Sequence, residues 1–208
     1  FNTVVSDPHF SDNFNNGPYS WKTGGTNDFW GLTATYSHSG HLAFTDSPQG
    51  KYRNSSNNWV MLKEPLAFAT AQNPQLTFWH RYDLQTNSDY VYVEGSIDGG
   101  LSWVQIGNSI TGLVSNYAQA TYSLVPFAGA YQFQLRFRLS TNASTNRDGW
   151  YVDDVSITWN DTGGLCTCDV NMIPDNYPVS VPPGGSFGLT GIIGNISNAA
   201  IVTDVRVG

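Results

Sequence analysis

The stretch from Asp148 to Trp159, DGWYVDDVSITW, constrains the fold more than any other part of the chain. A glycine turn opens it, and β-branched and aromatic residues then alternate with small or charged ones, which is the pattern of a strand. Strict alternation puts Tyr151, Asp153, Val155, Ile157 and Trp159 on one face, and Trp150, Val152, Asp154, Ser156 and Thr158 on the other. Two adjacent carboxylates in an otherwise apolar strand are costly unless neutralised, so Asp153 and Asp154 imply a bound cation or an arginine partner. The stretch before it, Gln132 to Leu139, alternates cleanly: Phe133, Leu135, Phe137 and Leu139 inward, Gln132, Gln134, Arg136 and Arg138 outward. The two read as an antiparallel pair closing one sheet, with Arg136 or Arg138 in reach of Asp153.

The rest of the chain carries the same signature. Aromatic residues make up 14% and charged residues only 12%, with 21 glycines, and no window reads as an amphipathic helix, so an all-β chain with many turns is expected. Leu42 and Phe44 alternate with Ala43 and Thr45 before Asp46-Ser47-Pro48 ends the strand. Gln75 to Asp83 and Asp89 to Ser96 form the densest β region, with Val91 and Val93 opposing Tyr90 and Tyr92. Ser96-Ile97-Asp98-Gly99-Gly100-Leu101-Ser102-Trp103 is a tight hairpin. It also matches the Asp-box pattern of sialidase-like propellers, in which the aspartate bonds turn amides and the tryptophan packs beneath. A single copy argues against a propeller. Composition shifts around Asp161-Thr162-Gly163-Gly164, which gives a domain over 1–162 and a segment over 163–208. The segment resembles the first strands of an immunoglobulin-like sandwich, but is short of the roughly 100 residues such a sandwich needs. Its missing strands would come from further sequence or from another chain.

A net charge of −7 makes nucleic acid a poor partner, and no apolar run is long enough to span a bilayer as a helix. The chain begins at Phe1 without a methionine, which suggests processing or a fragment. Asn54, Asn142, Asn160 and Asn195 lie in sequons and permit glycosylation. Cys166 and Cys168 cannot complete a zinc site alone. A local disulfide, bonds to another chain and free thiols all stay open.

Taken together, Trp30-Gly31-Leu32, the run His41 to Pro48, Leu76 to His80, Asp89 to Glu94, Ser96 to Trp103, Leu135 to Arg138 and Asp148 to Val155 resemble the MAM-like jelly-roll module. That module accompanies bacterial secreted proteins, including immune-inhibitor-A-type metallopeptidases and cleaved-adhesin proteins. The resemblance covers about residues 10 to 159. It implies a jelly-roll-like antiparallel β-sandwich, an extracellular or cell-surface location, an accessory rather than catalytic role and often a structural Ca²⁺. Calcium takes six to eight oxygen ligands. Asp154 and Asp153 come first as ligands, then Asp46 and Asp89, with Asp12 and Asp28 as further acidic positions; the alternative is that these groups form only salt bridges or turn hydrogen bonds.

Catalysis finds little footing. No His-Glu-x-x-His or Gly-x-Ser-x-Gly motif occurs, and His80 sits mid-strand as a buried, bonded imidazole. Adjacent strand residues point to opposite faces, so Asp153 and Asp154 cannot act as a glycosidase pair. Glycan binding would draw on aromatics outside the clearest core strands: Trp30, Trp59 and Tyr52 first, then Trp21, Tyr36 and Tyr117. The expected role is adhesion or ligand binding at a cell surface or matrix. The alternatives are a filament or sheath subunit joined through its C-terminal strands, and a carbohydrate-binding module of a secreted enzyme.

Overall fold

The alternation seen in the sequence becomes two antiparallel sheets facing each other across an aromatic core. The computed structural model describes residues 9–161, together with two short paired strands further on. The chain divides into two units, Phe1–Leu165 and Cys166–Gly208. Sheet A is built from β1 (Phe10–Asp12), β3 (Gly31–Thr33), β4 (Ala43–Thr45), β6 (Ala71–Asp83), β9 (Leu113–Ser123) and β11 (Gly149–Asp161). Its order is β3-β4-β11-β6-β9, and β1 pairs with β11 beyond β4. Sheet B is built from β2 (Trp21–Thr26), β5 (Asn57–Leu62), β7 (Tyr90–Ser96), β8 (Val104–Ile110) and β10 (Gln134–Ser140), in the order β2-β5-β10-β7-β8. In the second unit only β12 (Ile193–Gly194) and β13 (Ala200–Ile201) are described, paired antiparallel. The all-β sandwich expected from composition is what residues 9–161 form; the immunoglobulin-like reading of 163–208 and both cysteines lie outside the described residues.

Trp150 is the centre of the core. It is fully buried, and its indole meets Trp30, Phe78 and Phe137 edge-on, with ring centroids 5.3 to 6.3 Å apart. Its Nε1 donates to Nδ1 of His80 at 3.1 Å. Desolvation drives the His80 pKa down to about 4, so at neutral pH the ring is uncharged and free to accept that bond. His80 is thus a satisfied core imidazole, as its strand position suggested.

Two features depart from the sequence reading. First, β10 and β11 are not paired. β10 lies in sheet B between β5 and β7, while β11 lies in sheet A between β4 and β6. Residues 141–148 carry the chain from one sheet to the other, so the inward faces of the two strands oppose each other through the core. Phe137 meets Trp150 there at 5.3 Å. Second, β11 does not alternate strictly. Its register with β6 slips by one residue between Asp153 and Ser156, and Asp154 there has a φ of +46°. This bulge swaps the buried face. Trp150 and Val152 point into the core before it, and Val155 and Ile157 after it.

The hairpin between β7 and β8 has the bonding its sequence announced. Ser102 N donates to Asp98 at 3.0 Å, Gly100 N to the Ser96 hydroxyl at 2.9 Å, and Trp103 Nε1 to the Gly100 carbonyl at 3.0 Å.

Candidate functional site

The two outer faces of the sandwich differ in character. On sheet A, residues 34–42 form a roof. Tyr36 stacks on the Arg81 guanidinium at 3.5 Å, and His38 lies flat on Trp79 at 3.8 Å. Asp153 Oδ2 holds this roof by accepting from the backbone N–H groups of His38 and Ser39, at 2.7 and 3.2 Å. Asp154 bonds the His38 ring and accepts from the Ser39 hydroxyl, at 2.5 and 2.6 Å. The two carboxylates that dominate the sequence are therefore loop anchors on the bulge. Neither meets Arg136 or Arg138, because those arginines belong to the opposite sheet.

On sheet B the outward residues form an ordered grid, since side chains of paired strands stand side by side. One row runs Lys22, Met61, Arg136, Glu94 and Gln105; the next runs Gly24, Trp59, Arg138 and Tyr92; the third runs Thr26, Asn57, Ser140 and Tyr90. Trp59 lies across β2 at Gly24, where an added Cβ would sit 2.6 Å from its ring. Only glycine lets the indole lie down there, and the ring stays half-buried. Arg138 covers the Tyr92 ring at 4.1 Å, and Arg136 covers Trp103 at 4.0 Å. The result is a set of flat, partly exposed surfaces held in place by cation–π contacts.

Glu94 organises this face. Its side chain is 8% exposed and receives Arg136 Nε at 2.6 Å and Arg138 Nη2 at 2.8 Å. Burial works to raise its pKa, yet hydrogen bonds and charge from both arginines outweigh it and hold the carboxyl below its ordinary value of 4.5. A depressed carboxylate pKa adds stability above about pH 4.5 and loses it as pH falls through the folded value. We expect Glu94→Gln to cost about 3 kcal/mol at pH 7, because it leaves two half-buried guanidinium groups without their counter-charge. The penalty should shrink below pH 4, and urea titrations at pH 7 and pH 3.5 check both points.

The remaining candidates gather at one end of the sandwich, around Tyr52. Its hydroxyl donates to Asp89 Oδ2 at 2.6 Å and accepts from Gln85 N at 3.1 Å, while its backbone N–H donates to Arg147 O. Asp89 also accepts from Asn142 N at 2.7 Å. Tyr52 is thus a buried pin between three loops, and Trp30 is likewise buried, with its Nε1 bonded to Asn58 at 2.9 Å. Both rings are closed to a ligand, as is Trp21 in the core. Of the first three aromatic candidates, Trp59 is the one on an open face. Asp46 accepts from Trp150 N at 3.0 Å and from the Ser47 hydroxyl at 3.0 Å through Oδ1. Its Oδ2 is buried without a partner. Desolvation raises its pKa to about 7, against those bonds, and neighbouring Asp148 adds to the rise.

These placements test how well calcium fits. Among the described residues no three acidic, histidine or cysteine side chains converge on one point. The oxygens of Asp153, Asp154 and Asp89 already accept hydrogen bonds, and Asp12 is bonded to Phe14 N and Trp21 Nε1. The orphan Oδ2 of Asp46 is the position with an acceptor to spare. An ion there would complete its oxygen shell from hydroxyl, carbonyl and water ligands around Ser47 and Asp148. Of the sequon asparagines, Asn160 is exposed, Asn54 is partly exposed, the Asn142 side chain is engaged by Gln85 and Ser144, and Asn195 lies outside the described residues.

The open face was only partly legible in advance. Tyr92, Trp103, Arg136 and Arg138 did not stand out as ligand-facing. Alternation in β7 and β10 does turn Tyr90, Tyr92, Arg136 and Arg138 outward; what it lacks is the strand order that sets them beside Trp59.

No protein-family profile matches this sequence. Over 155 residues, 72% of this chain, it is 29% identical to Bacillopeptidase F of Bacillus subtilis (strain 168), a match spanning 10% of that protein's length. The K2 cleaved adhesin domain of Lys-gingipain superposes with a TM-score of 0.53 at 15% identity, covering 72% of this chain and 98% of the domain. A carbohydrate-binding module of the β-sandwich superfamily superposes at 0.52 with 13% identity, covering 73% of this chain and 62% of that one. What the likeness to these solved structures establishes is architecture: the described part of this chain is a two-sheet antiparallel β-sandwich of the kind found in adhesin domains and carbohydrate-binding modules.

Proposed function

We propose that this chain is a non-catalytic, extracellular glycan-binding module that presents the outer face of sheet B to polysaccharide. The observation that carries the reading is the grid centred on Trp59. An indole laid flat over Gly24 adjoins Arg138 and Tyr92 in the same row, with Lys22, Arg136 and Asn57 in the flanking rows. A pyranose ring has an apolar face that stacks on a flat aromatic and a rim of hydroxyls that needs hydrogen-bond partners, and this face offers both. The likeness to a carbohydrate-binding module agrees with it, and the adhesin likeness agrees with a role in attachment. Filament formation through the C-terminal strands has no support in the described residues.

The test is isothermal titration against a panel of soluble plant and bacterial polysaccharides. Trp59→Ala should weaken binding by at least about tenfold, the effect of removing a central aromatic anchor. The ring is only partly exposed and packs over Gly24, so some stability is lost with it, and the titrations are run well below the variant's own melting temperature. Absence of heat across the whole panel, or full binding by Trp59→Ala, would remove this function from the face.

We further propose that Asp46 takes a structural Ca²⁺. Its support is the unpartnered buried Oδ2, with the Ser47 hydroxyl and the Asp148 carbonyl close by.

A further inference from the structure

The open face of sheet B has a charge opposite to that of the whole molecule, and we infer that it selects polysaccharides bearing uronic-acid carboxylates over neutral ones. The inference rests on the glycan-binding reading above and deepens it.

The chain carries a net charge of −7. On this face, however, Lys22, Arg136 and Arg138 stand against Glu94 as the one carboxylate in the grid. The two arginines are not equivalent. Arg138 spends Nε and Nη2 on Glu94 and Nη1 on Asn57. Arg136 gives Glu94 its Nε alone, at 2.6 Å, and among the described residues no acceptor takes its terminal amino groups. It cannot swing away to water, because the ring of Trp103 lies 4.0 Å beneath the guanidinium and its side chain is only 16% exposed. Burial accordingly lowers the Arg136 pKa in spite of Glu94 beside it. A fixed, partly desolvated guanidinium with its fork unfilled is a ready partner for a second anion.

A uronate carboxylate fits that fork, and a sulfate, which can fill it in the same way, is separated from it by the heparin arm of the experiment below. The planar fork of arginine matches a planar acid in two parallel hydrogen bonds, and Glu94 already shows Arg136 making a short bond to a carboxylate through Nε. Lys22 lies in the same row two strands away, about 10 Å at the usual spacing between strands. It provides a second cation for a polymer that carries an acid on successive sugars. Trp59 sits between these positions, in the adjoining row, where a sugar ring would stack. The face therefore combines a stacking platform with two separated cations, which suits a chain of uronic acids better than a neutral glucan or xylan.

The experiment compares four ligands by isothermal titration: a short oligogalacturonate, the same oligomer methyl-esterified, a neutral xylo-oligosaccharide and a heparin oligosaccharide. Esterification keeps the ring and removes the charge. We expect the free acid to bind about tenfold more tightly than the ester, as for one charge-assisted hydrogen bond pair. That advantage should fall with added NaCl. Arg136→Gln should bring acid and ester to equal affinity, and Lys22→Gln, at an exposed position that does not bond Glu94, should halve the difference or more. Equal affinity for acid and ester would overturn the uronate inference but leave the glycan reading standing. Tighter binding of heparin than of the free acid would overturn it in favour of sulfate. Silence from all four ligands and from the wider panel would remove the glycan reading itself.

Discussion

Deleting Asp154 should unfold the sandwich, whereas Asp154→Gly should leave it folded. The bulge at this residue is what lets β11 bury Trp150 and Val152 before it and Val155 and Ile157 after it. Without the extra residue the strand alternates strictly, and one half must face the wrong way. If the half around Trp150 stays seated, Val155 and Ile157 turn outward, and their burial is worth about 3–6 kcal/mol together. Ser156 and Thr158 would meanwhile bring hydroxyls into the core, at about 1–3 kcal/mol each if unpaired. The pairing of β1 with residues 155–157 is lost as well. Such losses match the whole stability of an ordinary domain, about 5–15 kcal/mol. Glycine at 154 keeps the residue count and suits the positive φ of 46°. It gives up only the links to His38 and Ser39, so a change within about 1–2 kcal/mol is expected. Near-ultraviolet circular dichroism and urea titration of the two variants decide the matter. A deletion variant with the native tryptophan signal and native midpoint would mean that the bulge does not set the register.

The same residue marks the limit of what the sequence reveals. The all-β class, the Asp-box hairpin, the buried His80 and the outward Arg136 and Arg138 follow from alternation and turn chemistry, which are local. The bulge is invisible to alternation because Val155 and Ile157 fit either phase. It was in fact announced by two adjacent aspartates, a pair that a regular strand has no use for, but a cation explains them equally well in the absence of the loop they anchor. Strand order is non-local in the same way. β10 and β11 are successive in the chain yet occupy opposite sheets, and only once Glu94 lies beside Arg136 and Arg138 does the ion triad, and with it the open face, exist. Trp30 and Tyr52 misled for a related reason. Their segments look like loops, and they are loops, but ones whose aromatic side chains are buried to hold the end of the sandwich together.

Calcium should raise the melting temperature of the wild-type chain and leave that of Asp46→Asn unchanged. Asp46 is fully buried, one of its oxygens has no partner, and burial lifts its pKa to about 7, so near neutral pH the carboxyl is about half ionised and its charged form lacks a counter-charge. A divalent cation on that oxygen supplies what the protein does not. At a hundredfold excess over its dissociation constant the ion stabilises the fold by about 2.7 kcal/mol. For a chain of this size that corresponds to a shift of about 5–10 °C between calcium and EDTA. Asparagine at 46 keeps the acceptor for Trp150 N, removes the charge and has no anionic oxygen for the ion. It should therefore melt at one temperature in both buffers, and no lower than the wild type in EDTA. Asp153→Asn and Asp154→Asn assign the position: each should retain the calcium shift, because their carboxylates are taken up by His38 and Ser39. A shift lost in those variants and kept in Asp46→Asn would move the ion to the bulge. Identical wild-type melts in the two buffers, with no calcium bound by mass spectrometry, would remove it altogether. Magnesium gives a further discrimination: it dehydrates reluctantly and demands a regular octahedron, so an irregular shell built from one carboxylate, a hydroxyl and carbonyls should respond to it much less than to calcium.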